Sequence, residues 1–220
     1  MSFRALIFDF DGTLVDTESA VLAAWQGTFR ELGAELPLEK WYEVIGTHST
    51  TPAMFALLTE LVGDHDQDLI RQANRTRILA RLETEGVREG VLDYLDVATS
   101  HGLRLGVASS SSIGWVRTHL ERLGMAERFA SVATGDRHAG KPRPDLYLAA
   151  LAELEVEAGE AIAFEDSPHG VSAAKAAGMT CVAVPNPITA GLDFSHADLV
   201  LPGFDAKPLD EVLELFTAKR

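Results

Sequence analysis

The sequence predicts an α/β fold in which a mostly parallel sheet is covered by helices on both faces, with a helical subdomain inserted after the first strand. Short, continuous apolar runs recur along the chain, and each is followed by a polar turn and a helical pattern. Such runs are typical of strands buried on both faces. Strands that alternate with helices favour a parallel sheet between two helical layers. One long segment, residues 17–87, has helical periodicity and no convincing strand.

Six apolar runs are the expected strands of this sheet. In chain order they span residues 5–8, 103–108, 130–133, 161–164, 181–184 and, more weakly, 199–201. Two of the helices expected between them span 113–123 and 171–177. They end before Gly124 and Gly178, where a helix C-terminus favours glycine.

The segment 17–87 is expected to form a separate helical unit. Pro37 and Pro52 fit the first turns of helices, where proline is tolerated. We therefore expect an α/β core over 1–16 and 88–220, with hinges near residues 16–17 and 88–90. The apolar residues that recur at helical spacing in the first helix are Val21, Leu22, Trp25, Phe29 and Leu32.

Composition excludes several classes of protein. The 220 residues carry 33 acidic and 19 basic side chains, a net charge of −14, which disfavours nucleic-acid and anionic-membrane partners. One cysteine, Cys181, cannot form an internal disulfide. No window approaches the ~20 apolar residues of a membrane span, and the N-terminal apolar run is too short for a signal peptide. The sequence therefore predicts a cytoplasmic protein that binds neither nucleic acid nor membranes.

Two carboxylates follow the first predicted strand, in Asp9-Phe10-Asp11-Gly12-Thr13. Strand alternation would place Asp9 and Asp11 on one side and Phe10 on the other, so both acids can face one cleft. Neighbouring carboxylates repel each other unless a cation or a proton lies between them. The alternative is an ordinary surface turn rich in Asp and Gly.

Three later segments carry polar residues at matching places. Ser109 to Ser112 end the second strand before a helix and form either an anion site or a serine N-cap. Lys141 precedes a helix begun by Pro144 and is either a phosphate ligand or a solvated loop residue. Glu165-Asp166 end another strand and form either a hard-cation site or a helix cap. All these segments fall at carboxyl ends of predicted parallel strands, where open α/β sheets place their ligand sites.

In the order and spacing of these four motifs, the whole chain resembles the haloacid dehalogenase-like (HAD) phosphohydrolase superfamily. It resembles most the branch that includes β-phosphoglucomutase and phosphoglycolate phosphatase, with a Rossmann-like core and a helical cap. The resemblance implies that Asp9 is the nucleophile and that Asp11 is the general acid and base. It also implies Mg²⁺ held by Asp9, the Asp11 carbonyl, and Glu165 or Asp166. The implied phosphate ligands are Ser109, the Ser110 amide and Lys141.

Substrate contacts from the cap are less specific. Arg71 and Arg75 belong to four arginines within 70–82 that have no acid among them, and one pair would meet a substrate anion or be a solvated face. Glu18 would contact a substrate hydroxyl or favour a helix N-terminus. His48 would contact substrate or be an ordinary loop histidine.

Several functions are consistent with these motifs. The first is a magnesium-dependent phosphatase of a small phosphorylated metabolite, acting as a monomer or weak homodimer. The second is a phosphomutase of the β-phosphoglucomutase kind, but Val21 and Ser49 stand where such mutases have a histidine and an arginine. A dehalogenase is disfavoured, because that chemistry lacks the second acid, here Asp11. A non-catalytic phosphate-binding regulatory protein is the alternative of another class.

Overall fold

The computed structural model describes residues 3–47 and 49–218. At its centre is a parallel sheet of six strands in the order β3-β2-β1-β4-β5-β6. The predicted α/β fold is therefore confirmed. The order reverses between β1 and β4, and in such sheets the crevice outside the carboxyl ends at this reversal is where ligands bind. The strands are β1 (Ala5–Phe8), β2 (Arg104–Ser109), β3 (Ser131–Thr134), β4 (Ala161–Glu165), β5 (Thr180–Ala183) and β6 (Leu199–Val200).

The helices divide into an insert and two layers that cover the sheet. The insert contains α1 (Glu18–Glu31), α2 (Leu38–Tyr42), α3 (Thr50–Val62) and α4 (Gln67–Leu82). Residues from α5 (Val91–Ser100), α6 (Ile113–Arg122) and α9 (Leu209–Thr217) form one apolar cluster with the sheet. Residues from α7 (Asp145–Glu153) and α8 (Pro168–Ala176) form a second cluster.

Apolar packing on both faces explains why the strands read as continuous runs. All four side chains of β1 are fully buried. Phe8 lies opposite Phe164 in the ladder, and their rings stack with centroids 4.8 Å apart. The alternate residues Ala5 and Ile7 belong to the cluster on the other side. Cys181 is also fully buried in β5, and burial raises the pKa of its thiol well above the usual range.

Strand and helix ends differ from the prediction by a few residues. β2 and β3 each begin and end one residue later than expected, so that Ser109 and Thr134 belong to the ladder. Helix α8 begins three residues earlier, because Ser167 accepts a hydrogen bond from the Gly170 amide at 3.1 Å and Pro168 takes the first helical position.

Helices α1 to α3 of the insert contribute to a separate apolar cluster, which includes Trp25, Phe29, Trp41 and Phe55. Among the described residues of the segment expected to form a separate unit, 17–47 and 49–87, every regular element is a helix. None of the helices in the described part of the chain is long and apolar enough to cross a membrane.

The chain returns from the insert to the core at Arg88. The Arg88 guanidinium donates to the carbonyls of Gly12 at 2.7 Å, Val184 at 2.9 Å and Pro185 at 2.8 Å. Its backbone amide donates to the carbonyl of Leu14. A single planar donor group therefore joins the end of the insert to the loop that follows β1 and to the segment after β5.

We predict that Arg88→Lys lowers the free energy of unfolding by about 1–3 kcal/mol. Lysine keeps the charge but lacks the planar fork that reaches three carbonyls at once. Urea unfolding followed by far-ultraviolet circular dichroism measures the change. Arg81→Lys, on the exposed last turn of α4, is the matched control, and a similar loss in both variants would contradict the prediction.

Candidate active site

The loop after β1 turns two carboxylates toward one cavity. Asp9 follows the strand directly, and its amide donates to the carbonyl of Phe164 at 2.9 Å. Gly12 has φ of +84°, and a side chain there would overlap the carboxylate of Asp166. Asp9 and Asp11 both line a cavity of about 270 Å³. Because β1 ends at Phe8, the turn rather than strand alternation places the two acids together.

This cavity lies between the core and the insert, at the carboxyl ends of β1 and β2. The core contributes acidic, serine and tryptophan side chains, and the insert contributes a largely hydroxyl-bearing wall. The lining residues are Asp9, Asp11, Thr17, Glu18, Val21, Gly46, Thr47, Thr50, Thr51, Ser109, Ser110, Ser111 and Trp115.

Lys141 lies at the back of the site rather than in solvent. Its side chain is 1% exposed, and its ammonium contacts the carboxylates of Asp9 and Glu165, the latter at 2.6 Å. Burial lowers the pKa of Lys141, but the two carboxylates outweigh burial and raise it above the usual value. The ammonium therefore stays charged, and the interpretation as a solvated loop lysine is wrong.

Three buried carboxylates, those of Asp9, Glu165 and Asp166, lie within 4.8 Å of one another. Glu165 also accepts a hydrogen bond from the Tyr147 hydroxyl at 2.5 Å, in addition to its ion pair with Lys141. Asp166 accepts hydrogen bonds from Thr13 at 3.0 Å and from the Asn186 side chain at 2.6 Å. Tyr147 and Asn186 are thus supporting residues that the sequence analysis missed.

The donor set of this triad fits a hard divalent cation. Burial, with the charges of neighbouring carboxylates, raises the pKa of Asp9 and of Asp166 well above the usual range. Lys141 opposes the rise at Asp9, and Arg88 followed by Lys141 opposes it at Asp166. A bound cation would oppose this rise, because a nearby positive charge favours the ionised form of a carboxyl group. Carboxylate oxygens are the ligands that Mg²⁺ prefers. Glu165 is bound by both Lys141 and the Tyr147 hydroxyl at Oε1, so Asp9, which lines the cavity, and Asp166 are the side chains better placed to hold the ion.

The Asp11 carboxylate lies outside this triad and accepts four hydrogen bonds. At Oδ1 the donors are Thr17 Oγ1 and Trp115 Nε1, each at 2.8 Å. At Oδ2 they are Ser111 Oγ at 2.6 Å and Ser109 Oγ at 3.2 Å. A metal contact from Asp11 is therefore left to its backbone carbonyl, as the family resemblance implies.

The four serines that end and follow β2 have different roles. Ser109 accepts from the Ser111 amide at 3.0 Å. Ser110 accepts from the Lys141 amide at 3.3 Å and donates to the Gly46 carbonyl of the insert at 3.3 Å. Ser112 is the N-cap of α6 and accepts from the Trp115 amide at 3.4 Å. The serine N-cap and the cavity-lining serines are therefore different residues of one loop.

The candidate residues of the insert fall in different places. Glu18 lines the same cavity as Asp9 and Asp11. Arg71 and Arg75 line a neighbouring cavity of about 260 Å³, which shares Val21, Thr51 and Trp115 with the first. Arg71 also lies over the Phe55 ring, 4.5 Å from its centroid. His48 lies outside the described residues.

Comparisons with known proteins agree with this geometry. Residues 6–184 match the model of the haloacid dehalogenase-like hydrolase family. YhcW of Bacillus subtilis is 43% identical over 199 residues, 89% of each chain. The fructose-1-phosphate phosphatase YqaB of Escherichia coli is 33% identical, covering 83% of this chain and 96% of its own. The structure of CbbY from Rhodobacter sphaeroides with xylulose-1,5-bisphosphate has a TM-score of 0.78 and 32% identity, covering 92% and 95% of the two chains.

The chain belongs to the haloacid dehalogenase-like hydrolase family. The match spans most of the chain and includes the motifs at Asp9, Ser109, Lys141 and Glu165. The predicted family and the prediction that the chain is an enzyme of the phosphatase type are confirmed. Its relatives include both phosphatases and a phosphomutase.

We predict that Glu18→Gln makes the metal-free protein more stable relative to the wild type as pH rises. Burial, with the charges of Asp11, Asp9 and Asp16, raises the pKa of Glu18 from 4.5 to about 8. Between these values the folded chain binds a proton that the unfolded chain has released. Its stability therefore falls with rising pH, by at most about 1.4 kcal/mol per pH unit.

Urea unfolding in chelator at about pH 5 and about pH 8 measures this effect. Glu60→Gln, on the exposed face of α3, is the control and should follow the wild type. A stability difference between wild type and Glu18→Gln that does not change with pH would refute the prediction.

Proposed function

We propose that this chain is a magnesium-dependent phosphatase that hydrolyses a small phosphorylated metabolite, such as a sugar phosphate, through an aspartyl-phosphate on Asp9. One observation carries the proposal. The Asp9 carboxylate faces a cavity that is also lined by Asp11 and by residues 109–111 of the serine loop, which spans 109–112. The buried ammonium of Lys141 and the carboxyl group of Asp166 lie behind Asp9. Residues 17–87 act as the cap over this cavity.

In the first half of the reaction, an oxygen of Asp9 attacks phosphorus and the bond from phosphorus to the leaving oxygen breaks. Asp11 gives its proton to that oxygen, so the product leaves as an alcohol. Ser109, the Ser110 amide and Lys141 hold the other phosphoryl oxygens. Lys141 also neutralises part of the charge of Asp9.

In the second half, Asp11 takes a proton from water while the water oxygen attacks phosphorus. The bond to Asp9 breaks, inorganic phosphate is released, and both carboxylates regain their starting states. One residue serves as acid and then as base because the second proton transfer reverses the first.

Magnesium, when bound by Asp9, Asp166 and the Asp11 carbonyl, supplies positive charge that lets an anion approach an anionic ester. The buried residues prepare this place. Thr13 and Asn186 orient the two oxygens of Asp166, and Tyr147 with Lys141 holds Glu165.

The size and polarity of the space under the cap support a small polar substrate. The catalytic cavity of about 270 Å³ adjoins the neighbouring cavity of about 260 Å³, and the two share three wall residues. Thr47, Thr50 and Thr51 present hydroxyl groups that suit a polyol. Arg71 and Arg75, at the far cavity, suit an acidic group distant from the reacting phosphate.

Hydrolysis is favoured over transfer of the phosphoryl group back to a sugar, because the cap lacks the side chains with which a mutase holds the sugar phosphate. Val21 lines the catalytic cavity and has neither a charge nor a hydrogen-bonding group, and Ser49 is neutral and exposed. The loss of one charge-assisted contact costs about 1.5–3 kcal/mol, or roughly tenfold to a hundredfold in discrimination. Water is then the better acceptor of the phosphoryl group.

We predict that Asp9→Asn forms no covalent phosphoenzyme, because an amide oxygen is too weak a nucleophile. Acid quenching after brief reaction with ³²P-labelled acetyl phosphate and magnesium measures the label on the protein. The wild type should be labelled, and chelator should abolish its labelling. Asp64→Asn, exposed in the α3–α4 connection, should behave as the wild type. Label on Asp9→Asn, or full turnover in chelator, would show that the proposed mechanism is wrong.

We predict net hydrolysis rather than isomerisation of a sugar phosphate. The enzyme is incubated with magnesium, β-glucose 1-phosphate and a trace of glucose 1,6-bisphosphate, and phosphate and glucose 6-phosphate are followed separately. Phosphate should be the main product. Rapid isomerisation with little release of phosphate would instead show that the chain is a mutase and that another cap residue holds the sugar phosphate.

A further inference from the structure

Trp115 is a donor to the Asp11 carboxylate that lies outside the four family motifs, as Thr17 and Ser111 also do. It is the third residue of α6, directly after the serine loop. Its indole Nε1 lies 2.8 Å from Asp11 Oδ1. Its ring packs edge-on against His119, with centroids 4.3 Å apart. The same side chain lines both the catalytic cavity and the neighbouring cavity.

The four donors to Asp11 are not equivalent. Thr17, Ser109 and Ser111 contribute hydroxyl groups, which rotate and exchange the roles of donor and acceptor. The indole N–H is a donor only. Oδ1 is therefore held as an acceptor, whereas both partners of Oδ2 are hydroxyls that adapt to either role.

The surroundings keep the indole in place. His119 is 3% exposed, and neither of its ring nitrogens has a hydrogen-bond partner among the described residues. It serves as a flat support between Trp115 and Phe10, whose ring lies 6.2 Å from the imidazole. Since burial is the main cause that lowers the pKa of His119, the imidazole stays neutral there.

We propose that Trp115 is a positioning residue that clamps Oδ1 of Asp11 and so directs Oδ2 toward the leaving oxygen of the substrate. The inference rests on the proposed function, because it assigns the orientation of the acid in that reaction. When the bond from phosphorus breaks, the proton on Oδ2 goes to the leaving oxygen and the electron pair of that bond stays there. Trp115 itself exchanges no proton.

Trp115→Phe tests the clamp, because it keeps an aromatic ring and removes the N–H. The measured quantity is kcat/KM, which includes steps only up to the phosphoenzyme. For fructose 1-phosphate, whose alkoxide needs a proton to leave, we expect a loss of about tenfold to a hundredfold. For p-nitrophenyl phosphate, whose phenolate leaves unprotonated, we expect a loss below about threefold. Thr118→Ala, exposed on the same helix, should change neither value.

Equal losses for the two substrates, or no loss, would overturn the proposal, since a wall residue or a folding residue would not distinguish leaving groups. The hydrogen bond itself is tested without activity. The chain has three tryptophans, and Trp115→Phe assigns one of the three indole ¹H–¹⁵N resonances. Asp11→Ala should shift that resonance most, and an unmoved resonance would also overturn the proposal.

A failure of the proposed function and a failure of the role of Trp115 give different results. A wild-type protein that hydrolyses neither ester would refute the proposed function, whereas the nuclear magnetic resonance measurement would still show whether Trp115 binds Asp11. A wild-type phosphatase whose Trp115→Phe variant shows no leaving-group dependence would refute only the role of Trp115.

Discussion

The ammonium of Lys141, buried among carboxylates, is the interaction on which the site depends. Removing charges from water is costly, and a buried ion pair is favourable only when its remaining partners are also satisfied. Here Asp9 and Glu165 share the ammonium, and Tyr147 completes the partners of Glu165. If Lys141 were removed, Asp9 and Glu165 would lose the cation that they share and would remain buried carboxylates. The same residue thus allows the acids to be buried and prepares Asp9 for an anionic substrate.

Much of the fold was predictable because its signals are local. A continuous apolar run indicates a strand that is buried on both faces. The predicted ends of β1 and β4 accordingly lie within one residue of the observed ends. The motifs at Asp9, Ser109 and Glu165 were found for the same reason, since each directly follows or ends a strand. The insert was visible because its helical periodicity interrupts the alternation of strands and helices.

The contacts that complete the site were not predictable, because they join distant residues without a repeating pattern. Asn186 binds Asp166 from 20 positions away, and Trp115 binds Asp11 from 104 positions away. The burial of Lys141 was missed for another reason. A lysine beside Gly and Pro suggests a solvated loop, and only the arrangement of the acids around it makes burial favourable.

Both ends of the insert are fastened to one short turn of the core. Thr17 donates to the side chain of Asp11, and Arg88 donates to the carbonyl of the next residue, Gly12. The connections that enter and leave the helical unit thus begin and finish at nearly the same point. Evolution can then change the length of these helices, or the residues with which they line the cavity, while the reacting groups keep their positions. Substrate preference and bond-breaking chemistry can evolve as independent modules of one chain.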